Sequence, residues 1–159
     1  MVIMFYHLID LTKSIEVVAA IIIYKGKFLC CQRGDHKFSY ISNRFEFPGG
    51  KIEQGEIAED ALKREIKEEL NLEIMVNKHV LKINYQYPDF DLIMDCYLCS
   101  VSDFKIKLND HISYKLVDLK DLKSLEWVPA DIELVDYLEE TFSVSYRFDR
   151  TNVRESRKR

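Results

Sequence analysis

The stretch GKIEQGEIAEDALKREIKEELNL, residues Gly50 to Leu72, decides how the chain is read. Its second half is helical in pattern: Leu62, Ile66 and Leu70 recur at i, i+4 and i+8, an apolar stripe that needs a core to cover it. Glu65, Glu68 and Glu69, at i, i+3 and i+4, fall within an arc of roughly 100° beside that stripe, at its buried edge. Lys63 and Lys67 fall on the outer side. A solvated acidic face is the plain reading of a Glu-rich helix. Against it, like charges at this spacing repel and raise one another's pKa unless a cation sits among them. A hard divalent cation such as Mg2+ suits the set, because it takes carboxylate oxygens, keeps several waters and bridges to substrate phosphates. Asn71 suits the left-handed position that ends a helix.

Upstream, Pro48-Gly49-Gly50 predicts a tight turn that breaks the short strand Phe45-Glu46-Phe47, with no side chains to keep a ligand away. A plain structural turn accounts for it as well. The β-branched run Val17 to Tyr24 ends at Lys25-Gly26-Lys27 and resumes from Phe28 to Gln32, which predicts a buried hairpin. Gly34 to Arg44 has no period and reads as a loop. Beyond the helix, Val80 to Tyr87 and Leu92 to Val101 read as strands around the turn Pro88-Asp89, with another at Ser113 to Val117. A short helix begins after the cap Asp118. A longer one runs from about Ala130 to Glu140, with Ile132, Leu134, Val135 and Leu138 to bury. Strands, helix, strands, helix predicts an α+β or α/β fold, a mixed β-sheet sandwiched between α-helices, in a single domain over residues 1–159.

Composition sets outer limits. With 159 residues, 47% of them apolar, the chain can bury one good core, and a net charge of -4 argues against a nucleic-acid polymer as partner. Residues 143–159 carry +4 and the remainder -8. This basic tail reads as a solvated terminus or as an arm that attracts anions. Cys30 and Cys31 are adjacent, and Cys96 and Cys99 share a strand, so both pairs point apart. Reduced core thiols in a cytoplasmic protein are the expectation. Met1 to Ile9 lacks a charged leader and a cleavage site, and Val17 to Tyr24 is too short to span a bilayer, so no membrane association is expected.

Gly50, Glu56, Arg64-Glu65-Ile66, Glu68-Glu69 and Asn71-Leu72 together resemble the Nudix box, agreeing at eight of nine defined positions. The departure is Asn71, where that family usually has Gly; Asn tolerates positive φ next best. Residues of about 15–140 resemble MutT-like nucleoside triphosphate diphosphatases, leaving 1–14 and 142–159 as extensions. The resemblance implies the Nudix fold and Mg2+, with Mn2+ as substitute, held by Glu65, Glu68, Glu69 and the Gly49 carbonyl. It implies that Arg64 orients Glu65, that Glu56 supports from behind, and that Asp110 is an additional ligand or base. Arg33 matches a phosphate-contacting arginine. Phe47 and Phe90 could wall a base pocket by stacking, although Phe47 suits the core equally. Asp131, in Pro129-Ala130-Asp131, matches a base-reading position; its plain alternative is a helix cap.

The activity implied is hydrolysis of a nucleoside triphosphate, of oxidised-purine (8-oxo-dGTP) or cytidine type, to a monophosphate and pyrophosphate. Glu65 and Asp110 remain open as general base. Pro88, sixteen residues past Leu72, keeps an ADP-ribose-type pyrophosphatase open. A nucleotide-sensing module that does not cut is the alternative from another class. The small-molecule nucleotide is the expected partner of a monomer or homodimer.

Overall fold

The computed structural model describes residues 13–155, with side chains through Ser143; the expectations for Met1 to Ile9 and for the charges of the basic tail lie outside the described residues. Strands β1 (Ser14–Tyr24) and β2 (Lys27–Gln32) form the expected hairpin. β3 (Phe45–Glu46) and β4 (Gly49–Lys51) follow, then α1 (Ala58–Leu70), β5 (Ile74–Gln86), β6 (Asp91–Val101), β7 (Ser113–Val117), a 3-10 helix (Leu119–Ser124) and α2 (Pro129–Glu155).

The sheet runs β3-β2-β1-β6-β5, with β4 also on β1 and β7 on β2. β1 pairs parallel with β6 and antiparallel with β2 and β4, so the sheet is mixed. It is covered on both sides. Val18, Ala20 and Ile22 pack with Leu62, Ile66 and Leu70 of α1, whereas Ala19 and Ile21 pack with Leu134, Val135 and Leu138 of α2. A strand buried on both faces is why Val17 to Tyr24 reads as one continuous apolar run. Leu62, Ile66 and Leu70 are fully buried, each contributing about 1.5–3 kcal/mol of transfer free energy.

Five expectations change. Pro48-Gly49-Gly50 is no simple turn: Gly49 and Gly50 belong to β4, opposite Ala19 and Val18 of β1. A Cβ on Gly49 would overlap the Val18 carbonyl and one on Gly50 the Glu65 carboxylate, so close approach of neighbouring atoms explains both glycines. β5 begins at Ile74, before Val80, because register shifts at Val76/Lys78 and His79/Leu81 break the two-residue alternation that sequence reading depends on. Asp118 makes no cap bond; its carboxylate accepts from Lys27 Nζ at 3.0 Å. α2 starts at Pro129 and its backbone continues to Glu155, in a segment without Pro or Gly to stop it. Finally Ile132 is 49% exposed, because Ala130, Leu134 and Leu138 form the inward stripe and Ile132 lies off it.

Cys30 and Cys96 lie in the core beneath α2, and Cys31 and Cys99 in the core beneath α1. All four are free and buried. Among the described residues no helix is long and apolar enough to cross a membrane.

Candidate active site

A cleft of about 840 Å3 opens where β1, β4 and α1 meet the loop before β3 and the β5–β6 turn. At one end, α1 presents Glu65 and Glu69 beside Gly49 and Gly50; at the other, Phe47, Tyr87, Phe90 and Asp131 line it, with Arg33 and Glu46 between.

Arg64 organises the helix end. Its Nε and Nη2 donate to the two oxygens of Glu56 at 2.8 and 3.0 Å, and Nη1 donates to Glu65 Oε1 at 2.8 Å. Nη2 also reaches the Lys51 carbonyl of β4 at 3.0 Å. These paired, charge-assisted bonds hold Glu56 down to about pKa 2. One guanidinium thus ties the box's loop, strand and helix together and fixes Glu65 toward the cleft.

Glu69 is the uncompensated member. Its Oε2 is buried with no hydrogen-bond partner. Burial, followed by the negative charges of Glu46, Glu65 and Asp110, pushes its carboxyl up to about 8. An orphaned oxygen among like charges is costly, and a hard cation among Glu65, Glu69 and the Gly49 carbonyl would satisfy it. The residues present therefore fit a divalent metal. Glu68 takes a different posture: its side chain is 60% exposed and leans on Arg64 at 3.4 Å, outside the cleft lining. As arranged, no three acidic, His or Cys side chains among the described residues enclose a common metal position. Asp110 is exposed and does not line the cleft. Its loop is nevertheless anchored to the end of α1, where the backbone N–H groups of Lys107 and Asn109 donate to the carbonyls of Leu70 and Glu69 at 2.9 and 3.0 Å. Those carbonyls are among the last four of α1, which have no partner within the helix. Asn71, with φ 55° and ψ 28°, turns the chain left-handed directly after them.

The opposite end is assembled across the sequence. Phe45 N–H donates to the Glu126 carbonyl and Val128 N–H to the Phe45 carbonyl, so residues 126–128 run beside β3 and bring the start of α2 to the cleft. Asp131, in the first turn of α2, does not cap its own helix; its Oδ2 accepts from Phe47 N–H at 2.7 Å. Burial, reinforced by Glu46, pushes its carboxyl well above the usual range. The amide of Ala130 in α2 instead donates to the Tyr87 hydroxyl at 3.0 Å. Phe47 is buried and stacked on Trp127 with centroids 4.8 Å apart, so it is a core ring that also faces the cleft.

Phe90 joins an aromatic chain that the sequence only half showed. Tyr87 lies 4.8 Å from Phe90 and 5.1 Å from Tyr40, which stacks on Phe38 at 5.2 Å. Tyr40 Oη donates to Asp89 Oδ2 at 2.6 Å, fastening the loop before β3 to the β5–β6 turn. Glu46 and His111 were missed as well. A signal for Glu46 existed: an acid between Phe45 and Phe47 in a strand must face away from both. None marked His111.

A mixed sheet between two helices, with the Gly50 to Leu72 loop and helix delivering carboxylates to a cleft, defines a Nudix-type domain. The NUDIX domain model matches residues 14–138, and the chain belongs to that family. The CTP pyrophosphohydrolase of Escherichia coli (strain K12) is 37% identical over 126 residues, covering 78% of this chain and 90% of that protein. The 8-oxo-dGTP diphosphatase of Buchnera aphidicola subsp. Schizaphis graminum is 29% identical, covering 80% and 95%. Among solved structures, the MutT protein from Methanosarcina mazei Go1 superposes with a TM-score of 0.70 at 26% identity, covering 89% of this chain and 96% of that one.

Proposed function

We propose that this protein is a Mg2+-dependent MutT-like hydrolase that converts a nucleoside triphosphate to its monophosphate and pyrophosphate. The carrying observation is Glu69, whose Oε2 is buried without a hydrogen-bond partner in a cleft that Glu65 and Gly49 also line and that is large enough for a nucleotide. Relatives that hydrolyse phosphoanhydrides, one on CTP and one on 8-oxo-dGTP by name, support the reading. A bound Mg2+, with Mn2+ as substitute, supplies charge neutralisation on the leaving pyrophosphate and acidifies the attacking water.

Glu65, Glu69 and the Gly49 carbonyl would hold the cation, with Glu68, on the same helix, as a further ligand. Arg64, donating to Glu65 Oε1 at 2.8 Å, keeps Glu65 oriented. Asp110 lies outside the cleft lining, which favours Glu65 as general base. Arg33 takes a phosphate. Phe90 stacks on the base, Phe47 forms the floor, and Asp131 reads the base edge, accepting when ionised and donating when protonated.

The test is a panel of CTP, dCTP, dGTP, 8-oxo-dGTP and ADP-ribose with Mg2+, with products separated by ion exchange. Pyrophosphate from a triphosphate is the result expected. Cleavage of ADP-ribose alone would move the chain to the diphosphate-X class, and tight binding with no cleavage would make it a sensing module.

A further inference from the structure

His111 is buried, with a side chain 3% exposed, yet only one of its ring nitrogens is paired. Nε2 lies 2.8 Å from Glu46 Oε1, while Nδ1 is buried without a partner. Both Glu46 oxygens already accept from Arg33 Nη1, so Glu46 acts as the acceptor and the His111 proton is assigned to Nε2. Burying an imidazole with an unmatched nitrogen costs more than burying an apolar side chain of that size. That cost directs attention to what Nε2 holds.

The strand pairing explains the meeting. Ile112 N–H donates to the Gln32 carbonyl at 2.9 Å, and Ser113 stands opposite Gln32 at the start of β7. His111 is therefore pinned where β2 ends and Arg33 begins. On the other side of β2, Glu46 stands opposite Cys31 in β3. Three strands thus bring His111, Arg33 and Glu46 together. Glu46 receives Arg33 Nη1 at 3.2 Å on each oxygen. Among the described residues, no hydrogen bond engages Arg33 Nε or Nη2. The guanidinium is held through Nη1 at the cleft wall, which leaves its other donors for a bidentate acceptor.

We propose that His111 is a positioning residue for phosphate binding: through Glu46 it fixes the guanidinium of Arg33 in the cleft. This rests on the proposed function insofar as Arg33 meets a triphosphate. His111 touches no substrate. Without its Nε2–H, Glu46 is fixed only by Arg33, and the pair can swing together along the wall. The substrate then pays for ordering Arg33 on binding, which raises KM more than it lowers kcat.

The experiment uses the full chain in His111→Ala, His111→Gln, Arg33→Ala and His111→Ala/Arg33→Ala forms. With a nucleoside triphosphate and Mg2+, His111→Ala should raise KM about tenfold with kcat within about threefold. His111→Gln, whose amide keeps a donor, should recover most of the loss. In the Arg33→Ala background the same change should move KM less than about twofold, since coupled residues are not additive. Independently of turnover, the 15Nε resonance of Arg33 in the metal-free protein should shift in His111→Ala and return toward wild type in His111→Gln. Equal KM effects with and without Arg33, or an Arg33 resonance unmoved by His111→Ala, would overturn the proposal. If the wild type cleaves no triphosphate, the function reading fails, and the resonance still decides whether His111 positions Arg33.

Discussion

The carboxylate of Asp131 is fastened to the backbone N–H of Phe47 at 2.7 Å, joining positions 84 residues apart. One bond therefore sets the start of α2 against the link between β3 and β4, where Phe47 lines the cleft. Because burial raises its pKa, Asp131 can present either an acceptor or a donor to a base. Asp131→Asn keeps an acceptor for Phe47 and removes the titration. It is expected to change the preference among CTP, dCTP, dGTP and 8-oxo-dGTP by at least about tenfold in kcat/KM, or about 1.4 kcal/mol, with kcat on the best substrate less affected. Unchanged preference with lowered thermal stability would limit Asp131 to its structural bond.

Glu69 predicts an unusual pH dependence. A carboxyl raised from 4.5 to about 8 keeps its proton in the folded state after the unfolded chain has lost it. Its contribution is full below about pH 4.5 and declines as pH rises toward about 8. In chelator, Glu69→Gln should melt higher than wild type at pH 8 and lose that advantage near pH 5. Added Mg2+ should stabilise the wild type more at pH 8 than at pH 6, and Glu69→Gln little at either, as differential scanning calorimetry would show.

Asn71 sits in the left-handed region at φ 55°. Asn71→Gly is expected to be neutral or stabilising by a few tenths of a kcal/mol, and Asn71→Val to destabilise by about 1 kcal/mol or more, since a β-branched side chain crowds the carbonyl there. Urea titration of both variants measures this. Equal midpoints would mean that the turn tolerates any residue.

Gly50→Ala checks the contact between strand and helix. Its Cβ would enter the space of the Glu65 carboxylate, a group already fixed by Arg64. Turnover should fall by about a hundredfold or more, as when a charge-stabilising group is displaced, while circular dichroism keeps the helical signal. Near-normal kcat would mean that Glu65 is free to adjust without loss.

Much of this was legible in the sequence, for identifiable reasons. Leu62, Ile66 and Leu70 form an apolar stripe on a helix, whereas a strand would put the charged Arg64 and Glu68 on the same face as them, and Val17 to Tyr24 carries the apolar continuity of a strand covered twice. The box acids were legible because their spacing converts directly into a shared face. What stayed hidden depends on contacts between distant segments. The bulges of β5 erase its alternation, the bond from Asp131 to Phe47 has no local signature, and His111 and Glu46 meet only because β3 and β7 flank β2. Glu68 shows the remaining limit: helix geometry places its Cα with Glu65 and Glu69, but its rotamer leads to Arg64.

The most direct measurement is product analysis of a triphosphate incubated with wild type and Glu68→Gln, each with Mg2+ and with chelator. The account predicts monophosphate and pyrophosphate from the wild type with Mg2+ only, and kcat lower by at least about a hundredfold in Glu68→Gln with the fold intact. Full activity in Glu68→Gln, or wild-type turnover that survives chelation, would contradict the placement of a metal on this helix face.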